Sequence, residues 1–447
     1  MNKIRQRLIL AGLVLAFIII VPSIVYYSDG YRLVLDSGNK IRVVKTGGIS
    51  IKTYPAGASV FIDSKLAKKT NLLIDQALIT DLLPKSYKVL VTRDGYLPWE
   101  KTLTVREQEV TSAKSILFVK NKIEFSQALD LLPNKPTTTL PVKEYLFSPN
   151  NSDIAVITKS DTAITLGIIN LERGMQKEIL SASPRATQIE NIRWSNDSQR
   201  IMADYNVGYK KGFLIADIGQ DQKPTTTSDI IKAFGILANQ DIKNISQIAQ
   251  DSVCYTISDD IIWVSKDGFV YRSAISGKTA EVLSLKPLTL NYQECNIAEK
   301  NNDLFVFVGD SLFYLDRANS VFEKIADKTK EISFSNDESK VAFNDNGTII
   351  VFYLKNKEFE DVAHKQGDKI IVSKLESLDA RMSWIGDNHL LINDNSKIII
   401  TETDNRDKVN MATIAQYDNP IIFFNQRDKK AYILSQGTLY LSERIVP

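Results

Sequence analysis

The chain has 447 residues, 44% hydrophobic and 24% charged, which are values of a folded protein with room for two or three domains and exclude a disordered one. Lys and Arg number 55 against 53 Asp and Glu, a net charge of +2, so no global electrostatic bias points to nucleic acid. Cys254 and Cys295 are too few for a disulfide framework at this length; they pair only if the compartment is oxidising and their Cα atoms approach within about 7 Å, and two separate buried thiols fit the sequence as well.

In chain order the first element is an uninterrupted apolar run over 8–27, directly behind Lys3, Arg5 and Arg7. About 20 such residues, rising about 1.5 Å each, span a bilayer core of roughly 30 Å, so 8–27 is expected to be a transmembrane helix. The alternative is a cleaved signal peptide, which needs a shorter apolar core and a small-residue exit site. This run instead leaves through Pro22, Ser23 and the headgroup-type pair Tyr26 and Tyr27, which favours an uncleaved anchor. The basic residues in front place 1–7 as a cytoplasmic tail and 28–447 outside a plasma membrane crossed once. Residues 28–46 follow as a juxtamembrane hairpin, because the apolar segments 31–35 and 40–44 flank the turn-forming Asp36-Ser37-Gly38-Asn39.

From 47 to 119 apolar residues alternate in the two-residue period of half-buried strands: Ile49 and Ile51, Val60 and Ile62, Tyr87, Val89 and Val91, Leu103 and Val105. Pro55-Ala56-Gly57, Leu83-Pro84 and Asp94-Gly95 supply the turns between them, so this unit is expected to be a small antiparallel β-sandwich. Tyr54-Pro55-Ala56-Gly57-Ala58-Ser59-Val60-Phe61-Ile62-Asp63, then Leu83-Pro84-Lys85-Ser86-Tyr87-Lys88-Val89 and Asp94-Gly95-Tyr96-Leu97-Pro98-Trp99, resemble the PEGA domain of cell-surface proteins. The chain departs from that pattern at Ser64, at Lys69-Thr70-Asn71 and at Ser86, changes that touch turns and not the core. The resemblance implies an extracytoplasmic binding or spacing module and brings no catalytic residues.

Residues 120–141 carry Pro133, Pro136 and Pro141 with a threonine run and read as a linker, although 123–131 alternates enough to be a strand lent to the next domain. Residues 142–447 repeat one device: an aromatic, Ser, a polar turn, then an apolar strand. Its copies start at Phe147, Trp194 and Phe334, with weaker ones at Trp384 and Phe424. Hairpins at 261–271 and 304–315 fill the gap between Trp194 and Phe334. A period of roughly 40 to 50 residues is that of a propeller blade, which gives an all-β chain with an expected seven-bladed β-propeller. The copies resemble those of TolB-like and WD-repeat-like propellers, a likeness that concerns architecture alone.

Chemistry leaves little trace. His364 and His389 are the only histidines, neither has a second histidine or a cysteine three to five residues away, and His389 beside Asp387 reads as a solvated turn residue. The nucleophile elbow, phosphate loop and dinucleotide fingerprint are absent from the sequence. Asn344-Asp345-Asn346-Gly347 and Asn393-Asp394-Asn395-Ser396 gather oxygens but lack a calcium-loop pattern and read as hairpin turns. No catalytic, cofactor-binding or metal-ligating residue is assigned. The reading is of an envelope-anchored, non-enzymatic binding or scaffolding protein whose propeller recognises a protein, peptide or envelope glycan. Its alternative is a glycan-directed hydrolase or lyase working at the channel mouth with carboxylates brought together from several blades.

Overall fold

The computed structural model describes residues 3–35, 41–70, 75–127, 142–149, 152–170, 175–195, 198–208, 213–218, 225–226, 252–257, 260–274, 280–290, 295–436 and 438–446. Its one helix among them, α1 (Lys3–Ser28), has 26 residues, and its apolar stretch Ile9–Ser28 is not buried against the rest of the protein. Pro22 lies inside it, and in the turn that this proline loosens Ser23 Oγ donates to Ile19 O at 2.7 Å. Two strands, Tyr31–Leu35 and Ile41–Lys45, pair antiparallel immediately beyond the helix.

The next unit is a sandwich of a three-stranded and a four-stranded sheet. Gly47–Tyr54 lies between Gln76–Leu82 and Val110–Leu117; the second sheet runs Lys65–Lys69, Ser59–Ile62, Ser86–Thr92, Trp99–Thr104. The alternating residues of the sequence meet between the sheets, with Ile49, Ile51, Val60, Val89, Val91 and Leu103 buried together. One expectation is corrected: the sandwich is not wholly antiparallel, because Gly47–Tyr54 and Val110–Leu117 run parallel. The connection between them passes through the second sheet, which frees the last strand to return in either direction. Gly47 stands where a Cβ would lie 2.2 Å from Arg106 O, so the chain can enter the sandwich here only without a side chain.

The rest is a β-propeller. Among the described residues it has seven four-stranded sheets. Five are simple meanders, at 142–182, 187–226, 252–282, 295–326 and 382–416. The sheet at 332–374 inserts a hairpin, Lys357–Phe359 with Val362–His364, between its third and outermost strands. The last sheet takes Ile421–Asn425, Lys430–Ser435 and Thr438–Arg444 from the end of the chain, and its outermost strand, Phe125–Gln127, from the segment before the first sheet. Of the strand expected over 123–131, Phe125–Gln127 is thus lent to the propeller and pairs with the last strand of the chain, while 128–131 lie outside the described residues.

The repeated device works the same way each time. Ser148, Ser195 and Ser335 each exchange backbone bonds with the residue five positions on: Ser N donates to the carbonyl of Asp153, Arg200 or Lys340 at 2.9 Å. The Ser Oγ accepts the N–H of that same residue at 2.9–3.0 Å. The aromatic before it reaches the preceding sheet: Trp194 Nε1 donates to Leu146 O at 3.0 Å, and Trp384 Nε1 to Ser333 O at 2.7 Å. Both acceptors stand one residue before the aromatic of the earlier copy, so each indole locks one blade to its neighbour. The strands after the device, Ile154 to Ile157 and Val341 to Phe343, are buried as their unbroken apolar sequence requires.

Cys254 and Cys295 form a disulfide, with Cα atoms 5.5 Å apart, that links the first strands of two neighbouring sheets. The two oxygen-rich turns are structural. Asn344 Oδ1 accepts the Gly347 N–H at 2.8 Å, Asp345 accepts Lys328 N at 2.8 Å, and Asp394 accepts Ser377 N at 2.7 Å. Their oxygens hold hairpins and blades to one another, and among the described residues no three His, Cys, Asp or Glu side chains gather as metal ligands would.

Candidate functional site

Two polar regions stand out, one that joins the domains and one within the propeller. The first is the contact of the sandwich with the sheets at 332–374 and 382–416. Trp99–Thr104 and Val110–Leu117 are each the last strand of their sheet, so each presents unpaired N–H groups at an edge. The propeller covers both edges with acceptor side chains. Glu360 takes Lys114 N at 2.8 Å and Ser115 N at 2.8 Å, Asp361 takes Ser112 N, and Asp407 takes Thr102 N at 2.7 Å. Asn410 imitates a paired strand: its Oδ1 accepts Glu100 N at 3.2 Å while its Nδ2 donates to Glu100 O at 3.1 Å.

Glu360 and Asp361 form the two-residue turn of the inserted hairpin with φ of 50° and 62°, a left-handed pair that ordinarily calls for Asn or Gly. Acidic residues held there despite the strain put both carboxylates on the same sandwich strand, which is what the turn is for.

Beneath the capped edges lies a buried ionic cluster. The alternation that turns Trp99 and Leu103 inward turns Lys101 inward too, and it is fully buried. Its Nζ lies 2.8 Å from Glu402 Oε1 and 3.4 Å from Asp404 Oδ2, and donates to Asp404 O at 2.6 Å. Glu402 also accepts from Trp99 Nε1 at 2.7 Å and from Asn410 N at 2.9 Å. Arg406 closes the group with Nη2 2.7 Å from Asp404. Burial alone would raise the Asp404 carboxyl, but the Arg406 guanidinium and the Lys101 ammonium outweigh it and hold the group below the usual carboxylate value.

His389 belongs to this region, which corrects the expectation of a solvated turn residue. It begins the strand His389–Asp394, pairs with Glu402 in the next strand, and is buried. Burial, with Lys340 and Lys101 nearby, pushes its imidazole down to about 3, so it stays neutral. Lys340, also fully buried, sits 5.1–5.9 Å above the rings of Phe359, Trp384 and Tyr353 and donates to Asn388 Oδ1 at 3.0 Å. Its ammonium is pushed down to about 8 by burial. His364 stacks on Tyr353 with ring centroids 4.2 Å apart, so neither histidine faces a catalytic partner. A cavity of about 70 Å³ remains among Trp99, Leu117, Val119, His389, Glu402 and Asn410, room for little more than water.

The second region gathers polar residues on or beside the first strands of several propeller sheets. Lys143 pairs with Glu190 at 3.3 Å and Arg193 with Asp204 at 2.8 Å. Tyr255 lies close enough to Asp204 and Arg193 to feel both, and burial pushes its phenol up to about 12. Tyr145 donates its hydroxyl to Ile421 O at 3.0 Å, and burial raises it, with the charges of Arg381 and Glu331 acting on it in opposite directions. Glu331 Oε2 stands 3.8 Å from Arg381 Nε; the two side chains keep 41% and 50% of their surface open. Burial raises the Glu331 carboxyl against the opposing pull of Arg381.

Sequence reasoning assigned no site residue; of the two regions it weighed only His364 and His389 for chemistry, and named Trp99, Leu103 and Trp384 for the fold alone. Lys101 left the clearest mark: a lysine on the inward face of an alternating strand, between Trp99 and Leu103, is a buried charge awaiting a partner. The residues of the second region left none, because they come from strands far apart in the chain.

The PEGA domain family model matches residues 46–118, the sandwich. No curated protein sequence matches the chain. Among solved structures, the β-propeller domain of Cps50 (Swd1) from Myceliophteria thermophila is 11% identical with a TM-score of 0.45 and covers 72% of this chain and 99% of its own. YCF48 from Cyanidioschyzon merolae is 9% identical with a TM-score of 0.43, covering 71% and 98%; a YCF48 bound to D1 peptide is 12% identical with a TM-score of 0.39, covering 72% and 96%.

Proposed function

We propose that this protein is a single-pass envelope protein that holds a β-propeller outside the plasma membrane to bind a protein, peptide or envelope glycan. In this reading 1–7 is cytoplasmic, 8–27 crosses the bilayer, and 28–447 lies outside. The basic residues before the span support that orientation, and the Cys254–Cys295 disulfide suits an oxidising compartment. The observation that supports the binding reading is the set of charges and phenols on or beside the first strands of several sheets, Arg381, Glu331, Lys143, Glu190, Tyr145 and Tyr255, which are held by one another and still partly open, and which this reading places at the channel. Such a surface suits a polar ligand recognised by hydrogen bonds and ion pairs. The PEGA sandwich, fastened to the propeller by buried bonds, serves as a rigid pedestal that fixes how the channel is presented.

The hydrolase alternative has one specific support, the raised carboxyl of Glu331, which has the character of a general acid. It would need a second carboxylate about 5 to 10 Å away. The full chain in detergent, offered to envelope extracts and to glycan and peptide substrate panels, is expected to capture a partner without turnover. Turnover abolished by Glu331→Gln would replace the binding reading with the enzymatic one.

A further inference from the structure

The hairpin between the span and the sandwich has a use that the anchor alone does not give it. Strand pairing sets Leu33 opposite Val43 and Tyr31 opposite Lys45 on one face, and Arg32 opposite Val44 on the other. On the first face Leu33, Ile41 and Val43 are 75%, 70% and 62% exposed, an apolar strip that none of the described residues covers. The direction in which that face looks is fixed by the helix. Tyr31, at its near end, packs edge-on against Tyr26 in the last turns of α1, with ring centroids 5.3 Å apart.

The other face is held by protein. Arg32 lies over the Tyr27 ring at 3.6 Å, donates to Tyr27 O at 2.7 Å and pairs with Asp81 of the sandwich. At the base Thr46 N donates to Gly30 O at 2.8 Å, and Lys45 Nζ to Gln108 Oε1 at 3.0 Å. The hairpin is therefore clamped between helix and sandwich, with its apolar strip on the face that carries the Tyr26–Tyr31 contact.

We propose that this strip lies in the interface of the same leaflet from which α1 emerges, so that the hairpin is a second, shallow membrane contact that sets the tilt of the sandwich and propeller. The proposal rests on the membrane reading of α1. Continuity with the span, two residues away, names lipid as the occupant. Buried at headgroup depth, the three side chains and the Tyr26–Tyr31 pair make the aliphatic and aromatic belt that such a contact requires.

The test uses the full chain in phosphatidylglycerol–phosphatidylcholine vesicles, with single NBD-labelled cysteines from Leu33→Cys or Val43→Cys, a Lys65→Cys control on the outer sandwich edge, and spin-labelled lipids as quenchers. Flotation with the vesicles reads the anchor separately. The expected result is flotation of every variant, blue-shifted emission at 33 and 43 that lipid spin labels quench, and solvent-like, unquenched emission at 65. Flotation with solvent-like emission at 33 and 43 overturns the hairpin contact and leaves the anchor standing. Emission shielded from water, unquenched by lipid and self-quenched between labelled copies assigns the strip to a second copy and likewise overturns it. Failure to float removes both.

Discussion

Replacing Lys101 by methionine tests whether sandwich and propeller are one structure. The ammonium is fully buried and serves Glu402 at 2.8 Å and Asp404 at 3.4 Å. Its loss leaves Glu402 a buried carboxylate with no cation, while Asp404 keeps Arg406 at 2.7 Å. Removing one partner of a buried pair costs about 3–5 kcal/mol, because the surviving charge was desolvated for an attraction that is gone. Methionine fills much the same volume, so cavity formation adds little. Adding Glu402→Gln removes the orphaned charge and keeps one acceptor oxygen, which can serve Trp99 or Asn410 but not both, and is expected to restore about 1–2 kcal/mol, a coupling of the size found between contacting groups. The assay is urea unfolding of the full chain in detergent, followed by tryptophan emission, since Trp99 reports the sandwich and Trp194, Trp263 and Trp384 the propeller. The parent is expected to unfold in one transition despite the proline-bearing linker, and Lys101→Met to split it in two. A loss under about 1 kcal/mol, the value of an exposed pair, would refute the buried-junction argument.

Acid should loosen the same junction. His389 normally titrates at 6.5 and is held down to about 3, so between those values the unfolded chain binds a proton that the folded chain refuses, and stability falls as pH drops. The loss is about 2 kcal/mol between about pH 8 and pH 5, measurable by denaturant melts and flattened in His389→Gln. Asp404 adds to it lower down, since a depressed carboxylate contributes stability above its unfolded pKa that is lost as pH falls toward the folded one. Trp384→Ala, which removes a side chain only 2% exposed, should cost about 3–5 kcal/mol of propeller stability, and Trp194→Ala, half-buried, clearly less; equal losses in melts would contradict the packing. Ser64→Gly should raise stability by about 1 kcal/mol in the same melts, because Ser64 holds φ at 67° in a turn where the PEGA pattern has glycine. Alkylation of the denatured, unreduced chain should find no free thiol, since Cys254 and Cys295 are paired.

Much of the architecture was legible because it is written in local periods. The two-residue alternation of 49–105 gave the sandwich strands, and the Phe147, Trp194 and Phe334 copies gave the blades, since each Ser and its turn close within six residues. The parallel pairing of Gly47–Tyr54 with Val110–Leu117 was hidden, because antiparallel hairpins at every visible turn say nothing about how the last strand returns. His389 misled because Gly386-Asp387-Asn388 is a turn sequence; its burial comes from packing behind the junction, where Glu402 and Lys101 meet from residues about 300 apart in the chain. The linker suggested two independent cores for the same reason: prolines are local, whereas Glu360 and Asp361 reaching Ser112 to Ser115 are not. The channel surface of Arg381, Glu331, Tyr145 and Tyr255 was out of reach, since its members sit in separate blades and share no spacing.

The most direct test of the account is site-specific photocrosslinking in intact cells. A crosslinking residue at Arg381, in the channel, and a control at Lys324, on an outer strand of the sheet at 295–326, are placed in the full chain, and adducts are probed with a membrane-impermeant protease. The account predicts an adduct with an envelope protein or glycan from position 381 and not from 324, and digestion of that adduct in unbroken cells. Identical adducts from both positions, or an adduct protected until the cells are lysed, would contradict it.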